Sequence, residues 1–194
     1  MFDRDRFIAD CRDAVTKEHA VAAVRDLVAQ AVSRPSAVEA SLGTPRTGGL
    51  FPIYRSSELT VLNVVWTPGM AIYPHEHRMW AVIGLYGGQE DNTFYRRGAH
   101  GVVAAGGKRL EHGETALLGE AIIHAVANPL RIFTAAIHVY GGDFFGTPRS
   151  EWTADGLVER PFDAERARRV FAEANARWEQ TVLGQPQCRS KEAI

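Results

Sequence analysis

The sequence predicts a mainly β chain framed by helices and folded as one domain. Three observations carry this. From Leu50 to about Gly146, short runs rich in Val, Ile, Thr, Tyr and Phe are punctuated by Gly and Pro roughly every ten residues. The flanking segments carry apolar residues at helical spacing instead. The chain has 194 residues, enough for one sizeable core and short for two independent folds. With 45% apolar and 23% charged residues it is not a disordered chain, and a formal charge of −1 provides no field to attract nucleic acid or an anionic membrane. A small molecule is therefore the expected partner.

In chain order, residues 1–49 read as helices and a linker, 50–146 as a β-barrel and 147–194 as an extension with a helix. Phe7, Ile8, Cys11 and Val15 mark a first amphipathic helix; Val21, Val24, Leu27, Val28 and Ala31 mark a second. Both stripes read as packing faces. The segment from Ser33 to Gly49 holds Pro35, Gly43, Pro45, Gly48 and Gly49 and reads as the linker. The runs FPIYR, ELTVLNVVW, YPHEH, WAVIGLYGG, NTFYRR, ETALLG, AIIHAVAN and RIFTAAIHVYGG make about eight strands, the rhythm of a sandwich or barrel. Gly87-Gly88 and Gly106-Gly107 read as hairpin turns. Beyond Pro161, Ala167, Val170, Phe171, Ala174, Trp178 and Val182 line one face of a closing helix.

The N-terminal stretch MFDRDRFIADCRDAV is charged from its third residue and has no secretory apolar segment, which predicts a cytoplasmic protein. No run reaches the roughly 18 apolar residues of a membrane span. Cys11 and Cys188 are too few and too far apart in sequence for a disulfide framework or a sulfur-ligated metal. An exposed strand edge would allow a homodimer.

The histidines are the most informative residues. His75 and His77 lie two apart in a β-rich stretch, so in an extended strand both imidazoles project from one face toward one metal ion. His124, in the apolar run AIIHAVAN, is the expected third ligand, because a lone buried imidazole needs a partner. His19, His100 and His112 read as surface or turn residues. Gly69 precedes the pair in a G-x5-H-x-H pattern, and Asn128 follows His124 in H-x3-N, with Gly113 upstream.

On these residues the sequence resembles the cupins, double-stranded β-helix proteins with the motifs G-x5-H-x-H-x3–4-E-x6-G and G-x5-P-x-G-x2-H-x3-N. Gly69, His75, His77 and Gly88 match the first motif; Gly113, His124 and Asn128 match the second. The Glu position holds Ala81, or Val82 with the longer spacer, and the Pro and second Gly positions hold Gly119 and Ala121. Glu90 is the nearest acidic substitute and is expected on the next strand. Three neutral imidazoles without a carboxylate leave the metal's charge unbalanced and suit an anionic chelating substrate.

The three-His branch of that family includes the Fe(II)-dependent thiol dioxygenases, cysteine dioxygenase among them. These carry a Ser-x-His-x-Tyr strand beside the iron. Here the strand reads Ala136-Ile137-His138-Val139-Tyr140, on a face shared with Ile132 and Thr134. The resemblance thus implies Fe(II), although nitrogen ligands also suit zinc, nickel and copper. It implies O2 and a small thiol or other chelating anion as substrates, with His138 and Tyr140 steering the oxygen species. Arg55 sits roughly where that family binds a substrate carboxylate, a role suited to the guanidinium fork. Arg78, Arg96 and Arg97 read as surface or salt-bridging residues. Two other functions compete: a three-His dioxygenase that cleaves C–C bonds of an enolate, and a non-catalytic metal-binding cupin that senses a small ligand.

Overall fold

The computed structural model describes residues 2–183; Cys188 lies outside the described residues. Three helices come first, α1 (Arg4–Ala14), α2 (Ala20–Val32) and α3 (Pro35–Leu42). Then follow β1 (Gly49–Arg55), β2 (Thr60–Trp66), β3 (Ala71–Glu76), β4 (Ala81–Gly87), β5 (Gln89–Gly98) and β6 (Gly101–Glu111). The remaining strands are β7 (Thr115–Leu118), β8 (Ile123–Ala127), β9 (Thr134–Tyr140), β10 (Ser150–Trp152) and β11 (Glu159–Pro161), and α4 (Ala164–Leu183) ends the described chain.

The strands form two antiparallel sheets, ordered β1-β2-β9-β4-β7 and β11-β10-β3-β8-β5-β6. In the first, β9 inserts between β2 and β4; in the second, β8 inserts between β3 and β5. This interleaving of early and late strands is the double-stranded β-helix, the cupin architecture, as the sequence predicts. No helix of the described residues is long and apolar enough to cross a membrane.

Side-chain alternation explains why β2, β4 and β9 are buried on both faces. Leu62, Val64, Ile83, Leu85, Ala136 and Tyr140 point between the sheets, into the core that holds the histidines. Val61, Val65, Val82, Ile137 and Val139 point outward against Val24, Val28 and Val32, which recur every fourth residue along α2. Cys11 lies in this outer layer, where burial pushes its thiol up to about 12, so it packs as a small apolar group. The α2 contact depends on Gly84, where an added Cβ would lie 2.4 Å from Val28 Cγ1 and 2.9 Å from Val32 Cγ1. Both valines are stiff at χ1. Gly84→Ala is therefore expected to destabilise the fold by about 1–3 kcal/mol, read as a lower urea midpoint; an unchanged midpoint would show that the helix can move away freely.

The structure departs from the sequence reading in several places. Residues 35–42 of the expected linker form α3, because Pro35 sits at its first turn, where a missing N–H costs nothing. Gly106 and Gly107 lie inside β6, where the β5–β6 register shifts, and the hairpin turns instead between Gly98 and Gly101. The second sheet continues past residue 146: β10 pairs with β3, placing Glu151 opposite His75. Ile132 precedes β9 and is exposed, and Val182 is exposed at the end of α4.

Candidate metal centre

His75 ends up beside His124 by strand pairing, since the two are direct partners across β3 and β8. A register irregularity between Ile72 and His75 reorients the end of β3. His77 lies just past that strand, and Arg78 after it takes a left-handed backbone, φ 58°, rare for a residue with a side chain. The result brings all three imidazoles together, with one nitrogen from each within 4.8 Å of the others. His77 Nε2 and His124 Nε2 stand 3.4 Å apart. No acidic side chain of the described residues joins this cluster.

The outer nitrogens fix how two of the rings are held. His75 Nδ1 lies 3.0 Å from the Tyr73 carbonyl, and His124 Nδ1 lies 2.7 Å from Asn92 Oδ1. Both partners accept, so each Nδ1 donates and each Nε2 keeps a lone pair toward the centre. Burial lowers His75 to about 4 and holds His77 and His124 well below the usual imidazole range, with the neighbouring imidazoles adding to the effect. At neutral pH the three rings are therefore neutral, the form that binds metal. Nitrogen lone pairs directed inward from His75 and His124, with His77 Nε2 beside them, suit a divalent cation of the iron-to-zinc series, and these three residues would hold it.

The motif residues around the ligands do structural work. Gly69 and Gly88 both have positive φ, and a Cβ on Gly88 would press on the Thr134 backbone at 2.8 Å. Asn128 does not reach the centre; its amide donates to the carbonyls of Trp66, Thr67 and Ile132, and its oxygen accepts from the Leu130 N–H, tying the β8–β9 turn to β2.

His138 and Tyr140 face the same cavity. His138 Nδ1 is 2.9 Å from the Tyr140 hydroxyl, and the Tyr140 ring packs edge-on against His77 at 5.0 Å between centroids. Burial raises the Tyr140 phenol well above its ordinary range, so it stays protonated. Glu90 is not a ligand. It is fully buried on β5, accepting from Trp66 Nε1 at 2.8 Å and Asn92 Nδ2 at 2.9 Å. Burial pushes its carboxyl up, but His138, Asn92 and Trp66 outweigh that and hold it below the ordinary carboxylate range.

The arginines sort differently from the sequence reading. Arg55 lies at the outer cleft, half exposed, in a bidentate pair with Asp143 at 2.7 and 2.8 Å. Its fork is already engaged, and it does not line the three-His cavity. Arg149, which sequence reasoning missed, is buried between two rings, 4.4 Å over Phe144 and 3.9 Å over Phe162. Its Nη1 donates to the carbonyls of Phe144 and Thr147, while Nε and Nη2 are buried without a partner. Burial lowers it to about 10, so it remains a cation at neutral pH, and its charge reaches His75, His77 and Tyr140. Like Arg55, it does not line the three-His cavity; it places a buried positive charge behind the Phe144 and Phe162 rings that do.

The cavity beside the three histidines measures about 30 Å³. Phe144, Phe162 and Phe171 wall it off from a cleft of about 530 Å³ between β1 and α4, and line both. His19, His100 and His112 are exposed and remote in role. Arg97 stacks over Trp152 and pairs with Glu76 and Glu159, and Arg78 pairs with Glu76, as surface salt-bridging residues should.

No family model matches the chain. Among solved structures it is similar to an RmlC-like cupin with a double-stranded β-helix fold from Methanocaldococcus jannaschii, at 9% identity over 52% of this chain and 85% of that one, TM-score 0.43. A cupin superfamily protein from Desulfitobacterium hafniense aligns at 15% identity over 54% and 87%, TM-score 0.42. A cupin domain from Bordetella pertussis aligns at 20% identity over 50% and 97%, TM-score 0.38. The metal centre rests on the three imidazoles themselves.

Proposed function

We propose that this chain is a metal-dependent dioxygenase that uses Fe(II) and O2 to oxidise a small thiol or another chelating anion. The observation that carries this reading is the His138–Tyr140 pair, 2.9 Å apart, set against His77 in the cavity of the three histidines. A metal held only to staple the barrel needs no proton-carrying pair beside it. With a thiolate the balanced conversion is RS⁻ + O2 → RSO2⁻: the sulfur gains both oxygen atoms, O2 is the oxidant, and no further reductant is needed. Bound Fe(II) would supply the redox chemistry that joins the two.

The chain's own residues supply the rest. Three neutral ligands leave the cation's charge to be balanced by the anionic substrate. Arg149 adds a buried positive charge whose field reaches His75, His77 and Tyr140 and favours an anion at the centre. Tyr140 and His138 hold a proton at the cavity wall, and the Phe144, Phe162 and Phe171 rings exclude water.

The test is O2 uptake by iron-loaded protein with a panel of small thiol acids and enolates. Uptake with a thiol acid, and a sulfinate product, is the expected result. Arg149→Met is expected to weaken binding of that anionic substrate by about 10-fold, the loss of a buried positive charge behind the cavity wall, while Arg55→Ala changes it little. Uptake with enolates alone would favour C–C cleavage. Stoichiometric zinc with no uptake after iron loading would favour the non-catalytic reading.

A further inference from the structure

The strand that carries His138 and Tyr140 has Ala136 where a hydroxyl would extend the hydrogen-bonded pair, so His138 Nε2 lacks a partner on its own strand. A charge from the neighbouring sheet faces it instead, beyond hydrogen-bond distance. Glu90 Oε2 on β5 lies 3.7 Å from His138 Nε2, and both groups are buried. The other interactions of this carboxylate are fixed: Oε1 accepts from Asn92, and Oε2 accepts from Trp66. We infer that Glu90 is a positioning residue that sets the His138 tautomer, placing the ring proton on Nε2 and making Nδ1 the acceptor of the Tyr140 hydroxyl.

Electrostatics favours a proton on Nε2. A bare Nε2 lone pair facing a buried carboxylate would be repelled, whereas an N–H facing it is attracted, and the low local dielectric enlarges the difference. With the ring taken as neutral, Nδ1 is then bare, and the contact of 2.9 Å has Tyr140 as its donor. The Tyr140 oxygen is left with its lone pairs free, so the phenol meets whatever enters the cavity as an acceptor. Glu90 also bonds Asn92, which holds His124 Nδ1, so one carboxylate orders both the pair and a ligand imidazole. The assignment goes beyond the proposed reaction and does not require it.

The experiment is long-range ¹H–¹⁵N correlation of the histidine rings in the full-length protein, metal-free and zinc-loaded, with His138 assigned from a His138→Asn sample. The expected result is a neutral His138 with protonated Nε2 and bare Nδ1 in both forms. In Glu90→Gln this pattern is expected to convert to an Nδ1–H form or to a mixture, while His75 keeps its Nδ1–H pattern and shows the site intact. A wild-type His138 protonated at Nδ1, as the other tautomer or as the imidazolium, would overturn the inference without any variant. So would a Glu90→Gln protein that folds and leaves the His138 pattern unchanged. Because neither reading involves turnover, failure of the oxygenase proposal would not produce these outcomes.

Discussion

His124→Asn is expected to abolish stoichiometric divalent-metal binding at neutral pH. His124 is the strand partner of His75, and its Nε2 faces His77 Nε2 across 3.4 Å, so removing it leaves two imidazoles and, among the described residues, no acidic side chain to replace the third. Loss of a partner that merely orients a ligand typically costs about 10–100-fold in metal affinity, which sets the scale for Asn92→Ala, and loss of the ligand itself should exceed it. Zinc titration followed by elemental analysis after gel filtration reads both. Retention of one ion per chain by the His124 variant would mean that the metal sits elsewhere.

The second large effect is acid destabilisation of the metal-free protein. The native state keeps His75 neutral down to about pH 4, whereas the unfolded chain takes up a proton near the ordinary value of 6.5. Between those values the unfolded state binds more protons than the native one, so stability falls as pH falls. It is retained above about 6.5, and the His75 share is fully lost below about 4. That share alone is roughly 3 kcal/mol, and His77 and His124 act in the same direction. Urea midpoints between pH 7.5 and 4.5 should therefore drop steeply, and added zinc should offset the loss by binding only the native state. A flat profile down to pH 4.5 would show that the rings are hydrated or already protonated.

Much of the centre was legible in the sequence because its ligands lie on strands. Two-residue alternation put His138 and Tyr140 on one face of β9, and the structure keeps them there. The spacing of His75, His77 and His124 marked a site that strand pairing then closes. What could not be read depends on contacts far apart in the chain. Arg149 sits in the turn-like stretch TPRS, and only its seat between Phe144 and Phe162 gives it a role. Glu90 was noticed as an acidic residue near the motif, but its partners Trp66 and His138 come from β2 and β9. Strand β6 went unread because its sequence, GVVAAGGKRLE, is glycine-rich and exposed along most of its length, so no core-facing alternation marks it. The signal for it lay in β5, which as part of a hairpin needs a following strand.

X-ray absorption fine structure of the protein loaded with one equivalent of cobalt or zinc tests the three-imidazole centre most directly. Three nitrogen scatterers with imidazole outer-shell features are expected in the wild-type protein. A wild-type spectrum dominated by carboxylate oxygen, or a protein that holds no ion at equimolar metal, would contradict it.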